Sequence, residues 1–366
     1  MSTRFWTKKD TKPKQKKGFL REWGDAILFA VVAATLIRWA TFEAYTIPTP
    51  SMEKSLLVGD YLFVSKLHYG PRTPITPLQV PLTHQTIWGT NIPSYSDAIQ
   101  LPSYRLPGFT SIKNNDVVVF NVPFEDQHPA DLKTNYIKRC IGIAGDSIQM
   151  IDTKVYINGK LLAEPEQVQY SYTLFTQNPI NPKFFKEHNI TDVNEYHGGA
   201  LYLVNTTPET AEELASYDFF QEVRINKDSI GSIDPKVFPF KPSMYPSNKD
   251  NFGPFLIPKK GLKIAINAQT IPFYSMVIEK YEGHENVVVT DSSITINGQP
   301  ITDYTFNQDY FWMMGDNRHD SLDSRFWGFV PENHIVGKAV MIWMSADQNE
   351  GFLNKIRWSR IFRGIN

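Results

Sequence analysis

Apolar residues crowd together once along the chain and alternate with polar ones in short runs almost everywhere else. The crowded stretch lies near the N-terminus, where Trp23 to Tyr45 reads WGDAILFAVVAATLIRWATFEAY. Its apolar centre, Ala26 to Ile37, is short for a bilayer-spanning helix, which needs about 20 residues. Arg38 lengthens it by snorkelling toward an interface, and Trp39, Phe42 and Tyr45 suit the headgroup belt. The pattern predicts an uncleaved membrane anchor over 23–45. A cleaved signal peptide fits less well, because no small-residue cleavage pattern follows and Pro48 and Pro50 intervene. A buried helix of a soluble protein would be similarly apolar all round.

Beyond Tyr45 the period shortens to that of strands. Alternating and β-branched runs occur at Tyr61–Val64, Val117–Phe120, Tyr136–Ile143, Lys154–Ile157, Asn286–Thr290 and Ser293–Ile296. Asn158-Gly159 and Asn297-Gly298 follow two of them and favour tight hairpins. Prolines 71, 74, 77, 81, 93, 102 and 107 make the stretch between Tyr69 and Ile112 an irregular excursion. From about Ala163 to Lys280 the pattern loosens, with a helical hint near Thr207 to Leu214, and reads as an inserted lobe. Phe352 to Phe362 mixes apolar residues with Lys355, Arg357 and Arg360, as in a basic amphipathic helix lying on a membrane or packed on the body.

These patterns give a mainly β chain: one transmembrane helix, then an antiparallel β-rich domain with a large second lobe. The expected boundaries are a basic tail over 1–22, the anchor over 23–45, a core from 46–162 and 281–347, the lobe over 163–280, and a C-terminal tail over 348–366. With 366 residues, 42% hydrophobic and 13% aromatic, the chain is long and apolar enough for a sizeable core. The net charge of −1 points to neither nucleic acid nor an acidic partner. Charge is uneven, however: Arg4, Lys8, Lys9, Lys12, Lys14, Lys16, Lys17 and Arg21 precede the anchor and place the N-terminus in the cytoplasm. Cys140, the single cysteine, excludes an internal disulfide and a multi-cysteine zinc site.

Candidate chemistry sits in three places. Ser51 lies in Ile47-Pro48-Thr49-Pro50-Ser51-Met52, just beyond the anchor, where prolines stiffen the approach to one hydroxyl. A serine needs a base, and none of the eight histidines falls in a triad or H-E-x-x-H motif. His319 stands in a dense polar run, where a surface or supporting role outweighs a catalytic one. Lysine can replace histidine when burial keeps it neutral, and Lys138 lies in the largely apolar run Tyr136-Ile137-Lys138-Arg139-Cys140-Ile141-Gly142-Ile143. Strand alternation points Lys138 and Arg139 to opposite faces, so only one needs to be buried. A strand lysine is ordinarily an edge or surface residue. The third place, MGDNRHDSLDSRFWG from Met314 to Gly328, packs charged and hydroxyl groups between apolar flanks. It lacks the spacing of an EF-hand loop.

Taken together, Ser51-Met52 with Leu56, Gly59 and Asp60, then Asp116 to Phe120, then YIKRCIGIAGDSI, then MGDNRHDSLDSRFWGFVP resembles the bacterial type I signal peptidases. The blocks come in that family's order behind an anchor, and the last is the most specific. The resemblance implies a serine endopeptidase of the inner membrane, with its catalytic domain on the periplasmic side. It would remove signal peptides, with small residues before the cut, from secretory preproteins, at a phospholipid surface and with neither cofactor nor metal. It implies Ser51 as nucleophile, Lys138 as general base and Ser321 as the group orienting the lysine. The Ser51 N–H and Thr49 hydroxyl would form the oxyanion hole, Asp323 and Arg325 an ion pair, and Arg139 a partner for Asp316. Ile47, Met52, Leu56, Tyr136 and Ile137 would line shallow substrate pockets, and an extended substrate would add as a strand. Pro50 and Lys54 depart from the family's usual glycine and proline, and His319 replaces a common aspartate. Two other readings share some features: a soluble self-cleaving serine–lysine protease, which would lack the anchor, and an inactive anchored scaffold, which would lack Ser51 or Lys138.

Overall fold

The computed structural model describes residues 18–347, 350–351 and 355–365. Most of the basic cluster ahead of the apolar stretch therefore lies outside the described residues. The apolar stretch forms one helix, α1 (Phe19–Ala40), of 22 residues with none buried. At 1.5 Å per residue it is about 33 Å long, enough to cross a hydrocarbon core. The helix stops at Ala40, earlier than the expected 45, because Phe42–Thr46 is the first strand, β1, paired with β2 (Asp60–Ser65). Phe42 and Tyr45 thus belong to the sheet. Arg38, in the last turn of α1, reaches Glu43 of β1 at 2.5 Å, and the Trp39 indole N–H donates to the Arg72 carbonyl at 2.7 Å.

An eight-stranded antiparallel sheet carries the site. Its order is β1, β2, the long strand Ile335–Ser345, β3 (Val117–Asn121), β4 (Asn135–Gly142), Tyr310–Met314 and Val330–Pro331, with Arg363–Gly364 also paired to the long strand. The sheet curls into a half-barrel. β3 explains why its sequence is an unbroken apolar run. Val117 and Val119 pack into the cluster with Met52, Leu56 and Leu62, while Val118 and Phe120 face Cys140, Met313 and Trp327. Both faces are covered, so the alternation of in and out disappears.

Two turn signals read from the sequence form as expected. Asn158-Gly159 and Asn297-Gly298 close hairpins with positive φ at both positions. The helical hint becomes Pro208–Ala215, capped by Thr207, whose hydroxyl accepts from the Thr210 N–H at 3.2 Å. The stretch 163–280, by contrast, does not fold as one unit. Its first part builds a four-stranded sheet of strands 220–225, 170–176, 201–206 and 193–196, with its own core around Leu174, Tyr202 and Leu214. Its last part, Phe252–Leu256 and the helix Ile271–Lys280, joins Ser147–Ile151 and Trp312 in the aromatic-rich core. The expected C-terminal amphipathic helix also does not form among the described residues. Trp358–Arg360 is a single 3-10 turn leading into the edge strand at 363–364, and Arg360 is buried.

Candidate active site

Ser51 occupies the middle of a one-turn 3-10 helix, Pro50–Met52. Pro50 opens the turn, where its fixed φ suits the helix and its missing N–H is not needed. Two backbone bonds close the base of this loop: Ile47 N–H to the Asp60 carbonyl at 2.9 Å, and Gly59 N–H to the Ile47 carbonyl at 3.0 Å. Gly59 has φ +87, and a Cβ there would lie 2.0 Å from the Ala346 carbonyl oxygen, so only glycine fits.

Lys138 comes from β4 on the opposite side. Its Nζ is 2.6 Å from the Ser51 Oγ, and both residues are buried, at 4% and 9% exposure. Burial pushes the Lys138 ammonium down to about 8, against the opposing attraction of the Asp323 and Asp316 carboxylates. Arg139 points to the other face, as strand alternation requires, and it too is buried. It escapes an uncompensated charge because its Nε and Nη2 donate to both oxygens of Asp316, at 2.8 and 2.7 Å.

The polar run after Met314 folds over this pair. Asp323 accepts from Arg325 at 2.9 and 2.8 Å and from the Gly315 N–H at 3.0 Å, with both side chains fully buried. Burial alone would raise the Asp323 carboxyl, but the Arg325 charge and hydrogen bonds hold it below its ordinary value. A Cβ on Gly315 would meet the Ser321 Oγ at 2.3 Å and the Ser51 carbonyl at 2.5 Å, so the run can approach the serine only through glycine. Ser321 is buried beside the site but makes no hydrogen bond to Lys138; its hydroxyl lies near Asp323 and helps keep that carboxylate ionised.

A cleft of about 400 Å³ opens beside the pair. Ile47, Tyr136 and Ile137 line it, together with Thr49, while Leu62 and Val119 form its floor and Asp320 and Leu322 its rim. Met52 and Leu56 do not reach it. Both are 1% exposed and pack beneath the serine turn, because adjacent residues of a tight helical turn face different ways. His319 is also away from the cleft. Its Nδ1 accepts from the Ser171 N–H at 3.1 Å and its Nε2 donates to Asp250 at 2.8 Å, tying the polar run to the small sheet.

Two supporting residues escaped the sequence reading. Ser55 donates its hydroxyl to Asp316 at 2.6 Å, and nothing local in the sequence signals it. Asn317 donates its N–H to the Ser51 carbonyl at 3.1 Å and its amide to the Pro50 carbonyl at 3.3 Å. Its place in the polar run was the available clue.

Comparison with known proteins gives the family. The profile of the family described as "Signal peptidase, peptidase S26" matches residues 20–210 and 257–344, which contain Ser51, Lys138, the polar run after Met314 and all of the large sheet except the end of its long strand and the edge strand Arg363–Gly364. The chain belongs to that family. It is a serine endopeptidase. The interval between the matched stretches holds the end of the small-sheet region, the loops after it and the strand Phe252–Leu256. Among similar proteins, a signal peptidase I of Buchnera aphidicola is 28% identical over 355 residues, covering 94% of this chain and 82% of that protein. A signal peptidase I of Rickettsia massiliae is 26% identical and covers 97% of both chains. That of Haemophilus influenzae is 25% identical, covering 92% of this peptidase and 74% of its relative.

Proposed function

We propose that this peptidase removes N-terminal signal peptides from exported preproteins through an acyl-enzyme intermediate, with Ser51 as nucleophile and Lys138 as general base. The 2.6 Å approach of a buried lysine amine to a buried serine hydroxyl carries this reading. A neutral amine accepts the hydroxyl proton as Oγ attacks the scissile carbonyl, then returns it to the departing amine. Water, activated by the same amine, would release the acyl group. The Ser51 N–H and the Thr49 hydroxyl are the proposed donors to the oxyanion, and Thr49 lines the cleft beside the nucleophile. Ser321 would act through the polar setting of the lysine, alongside Asp323, Arg325, Arg139 and Asp316.

The sheet supplies a place for the substrate. The strand Tyr310–Met314 pairs with β4 only from Arg139 to Gly142, so Asn135 to Lys138 pair on one side alone. β1 is likewise an edge strand, and the cleft lies between these two segments. An extended peptide entering there would find unpaired backbone groups on its flanks. Ile47, Tyr136, Ile137, Leu62 and Val119 crowd the cleft and favour small side chains before the cut. The exposed, apolar α1 supports a single-pass anchor, and the preceding lysines support a cytoplasmic N-terminus with the sheet on the periplasmic side.

The test is processing of a purified precursor, whose signal ends in Ala-x-Ala, by the full chain in detergent. Ser51→Ala and Lys138→Ala should each abolish cutting while keeping the fold. Normal processing by either variant would sink the assignment.

A further inference from the structure

The C-terminal tail runs past the loop that follows Ser51 before it reaches the edge strand at 363–364. Arg360 is 7% exposed although nothing in its local sequence calls for burial. Its Nε donates to both Asp60 oxygens at 3.1 and 3.2 Å, and its Nη2 donates to Asp60 at 2.6 Å and to the Ser55 carbonyl at 3.1 Å. Arg357 does the same one turn earlier: its Nη1 donates to the Val58 carbonyl at 2.9 Å and its Nη2 pairs with Asp347 at 2.8 Å.

Apart from Asp347, the residues these arginines hold belong to the loop that carries the serine turn. The Asp60 backbone carbonyl takes the Ile47 N–H at the base of the loop, and its carboxylate takes the Leu57 N–H at 2.8 Å. Ser55, whose carbonyl Arg360 holds, gives its hydroxyl to Asp316 at 2.6 Å. The loop from Ile47 to Asp60 is thus gripped from one side by Asp316 and Asn317 and from the other by the tail.

We infer that the C-terminal tail is a strap that positions the nucleophile, with Arg360 as its positioning residue. It touches neither substrate nor the reacting atoms. It acts by fixing Asp60 and Ser55, and through them the height of the Ser51 hydroxyl against Lys138. A lysine at 360 would keep the charge opposite Asp60 but lose the planar fork that also reaches the Ser55 carbonyl, so Arg360→Lys would restore function only in part. The strap rests on Ser51 being the nucleophile, but its mechanical part does not.

The experiment uses the full chain in detergent, comparing Arg360→Ala and Arg360→Lys with the exposed tail variant Trp358→Ala. Kinetics are read with a precursor substrate, and amide hydrogen exchange over residues 52–60 is read in the Ser51→Ala background. Displacing a nucleophile by a fraction of an ångström to an ångström lowers turnover about 10- to 100-fold. Arg360→Ala should therefore lose kcat in that range with KM changed less than about threefold, since the cleft walls are untouched. The acidic midpoint of its pH profile should stay where it is, because Lys138 keeps its surroundings. Exchange should quicken at 52–60 and not along β3 or β4, and Arg360→Lys should fall between Arg360→Ala and the parent. Parent-like turnover in Arg360→Ala, a loss confined to KM, or faster exchange spread across the sheet would each overturn the strap. If Ser51→Ala still processed precursor, the nucleophile assignment would fall while the exchange result stood by itself.

Discussion

The Arg139 guanidinium grips both oxygens of the Asp316 carboxylate in a pocket that excludes water, one residue along the strand from Lys138 and on the opposite face. A charge buried this deeply depends on its partner. Arg139→Ala would leave the Asp316 carboxylate, and the Ser55 hydroxyl bonded to it, without the cation that compensates them. Breaking one side of a buried pair costs about 3–5 kcal/mol, and urea unfolding of Arg139→Ala should show a loss of that size. Exchanging both partners for apolar residues should cost less than removing one.

Activity should climb with pH through a midpoint near 8. As the proposed base, Lys138 would act only when neutral, and burial brings its ammonium down to about 8. Below that value most molecules carry a protonated lysine and cannot accept the serine proton. A kcat/KM profile for a precursor checks this; a rate constant across mildly acidic to alkaline pH would contradict it.

The same burial has a cost in stability, with a definite sign. The folded protein releases the Lys138 proton near pH 8, whereas the unfolded chain keeps it until about 10.5. Below pH 8 both states hold the proton and the folded state bears the full cost of a buried ammonium. Between pH 8 and 10.5 the folded state sheds it and the cost fades. Lys138→Met should therefore unfold at higher denaturant than the parent at pH 6, by as much as about 3 kcal/mol. The gain should shrink as pH rises through that window, measured by urea titration at several pH values.

Shaving the cleft should loosen the choice of cut. Ile137 lines it next to Lys138 and is only partly buried, so Ile137→Ala enlarges the space without opening the core. Precursors with valine or leucine before the cut should gain about 10- to 100-fold in kcat/KM relative to the alanine precursor. Mass spectrometry of the products reads the shift directly.

Local signals and long-range ones were legible to different degrees. The apolar helix, the two Asn-Gly hairpins and the helix after Thr207 are written in adjacent residues, and the structure has each of them, with the apolar helix at 19–40 instead of 23–45. The helix ends five residues before the apolar pattern does, because Phe42 and Tyr45 are as apolar as its interior and only pairing with β2 makes them a strand. The division of 163–280 hinges on Phe252–Leu256 joining a strand a hundred residues earlier, which no local pattern announces. Ser51 and Lys138 stood out through the motifs around them, yet their proximity depends on a loop and a strand meeting. Met52 and Leu56 are close to Ser51 in sequence but lie outside the cleft, because the turn directs them inward. Ser55 and Arg360 carry no motif, and their importance is visible only through the groups they hold.

β1 leaves the end of α1 and also forms one rim of the cleft, with a single residue, Thr41, between helix and strand. No slack linker separates the apolar segment from the candidate nucleophile. Under the proposed anchoring, the enzyme would behave as a fixed-length gauge. Precursors would be sorted by how many residues lie between the end of their hydrophobic stretch and the bond to be broken, and a spacer lengthened by even one turn would carry that bond past the blade.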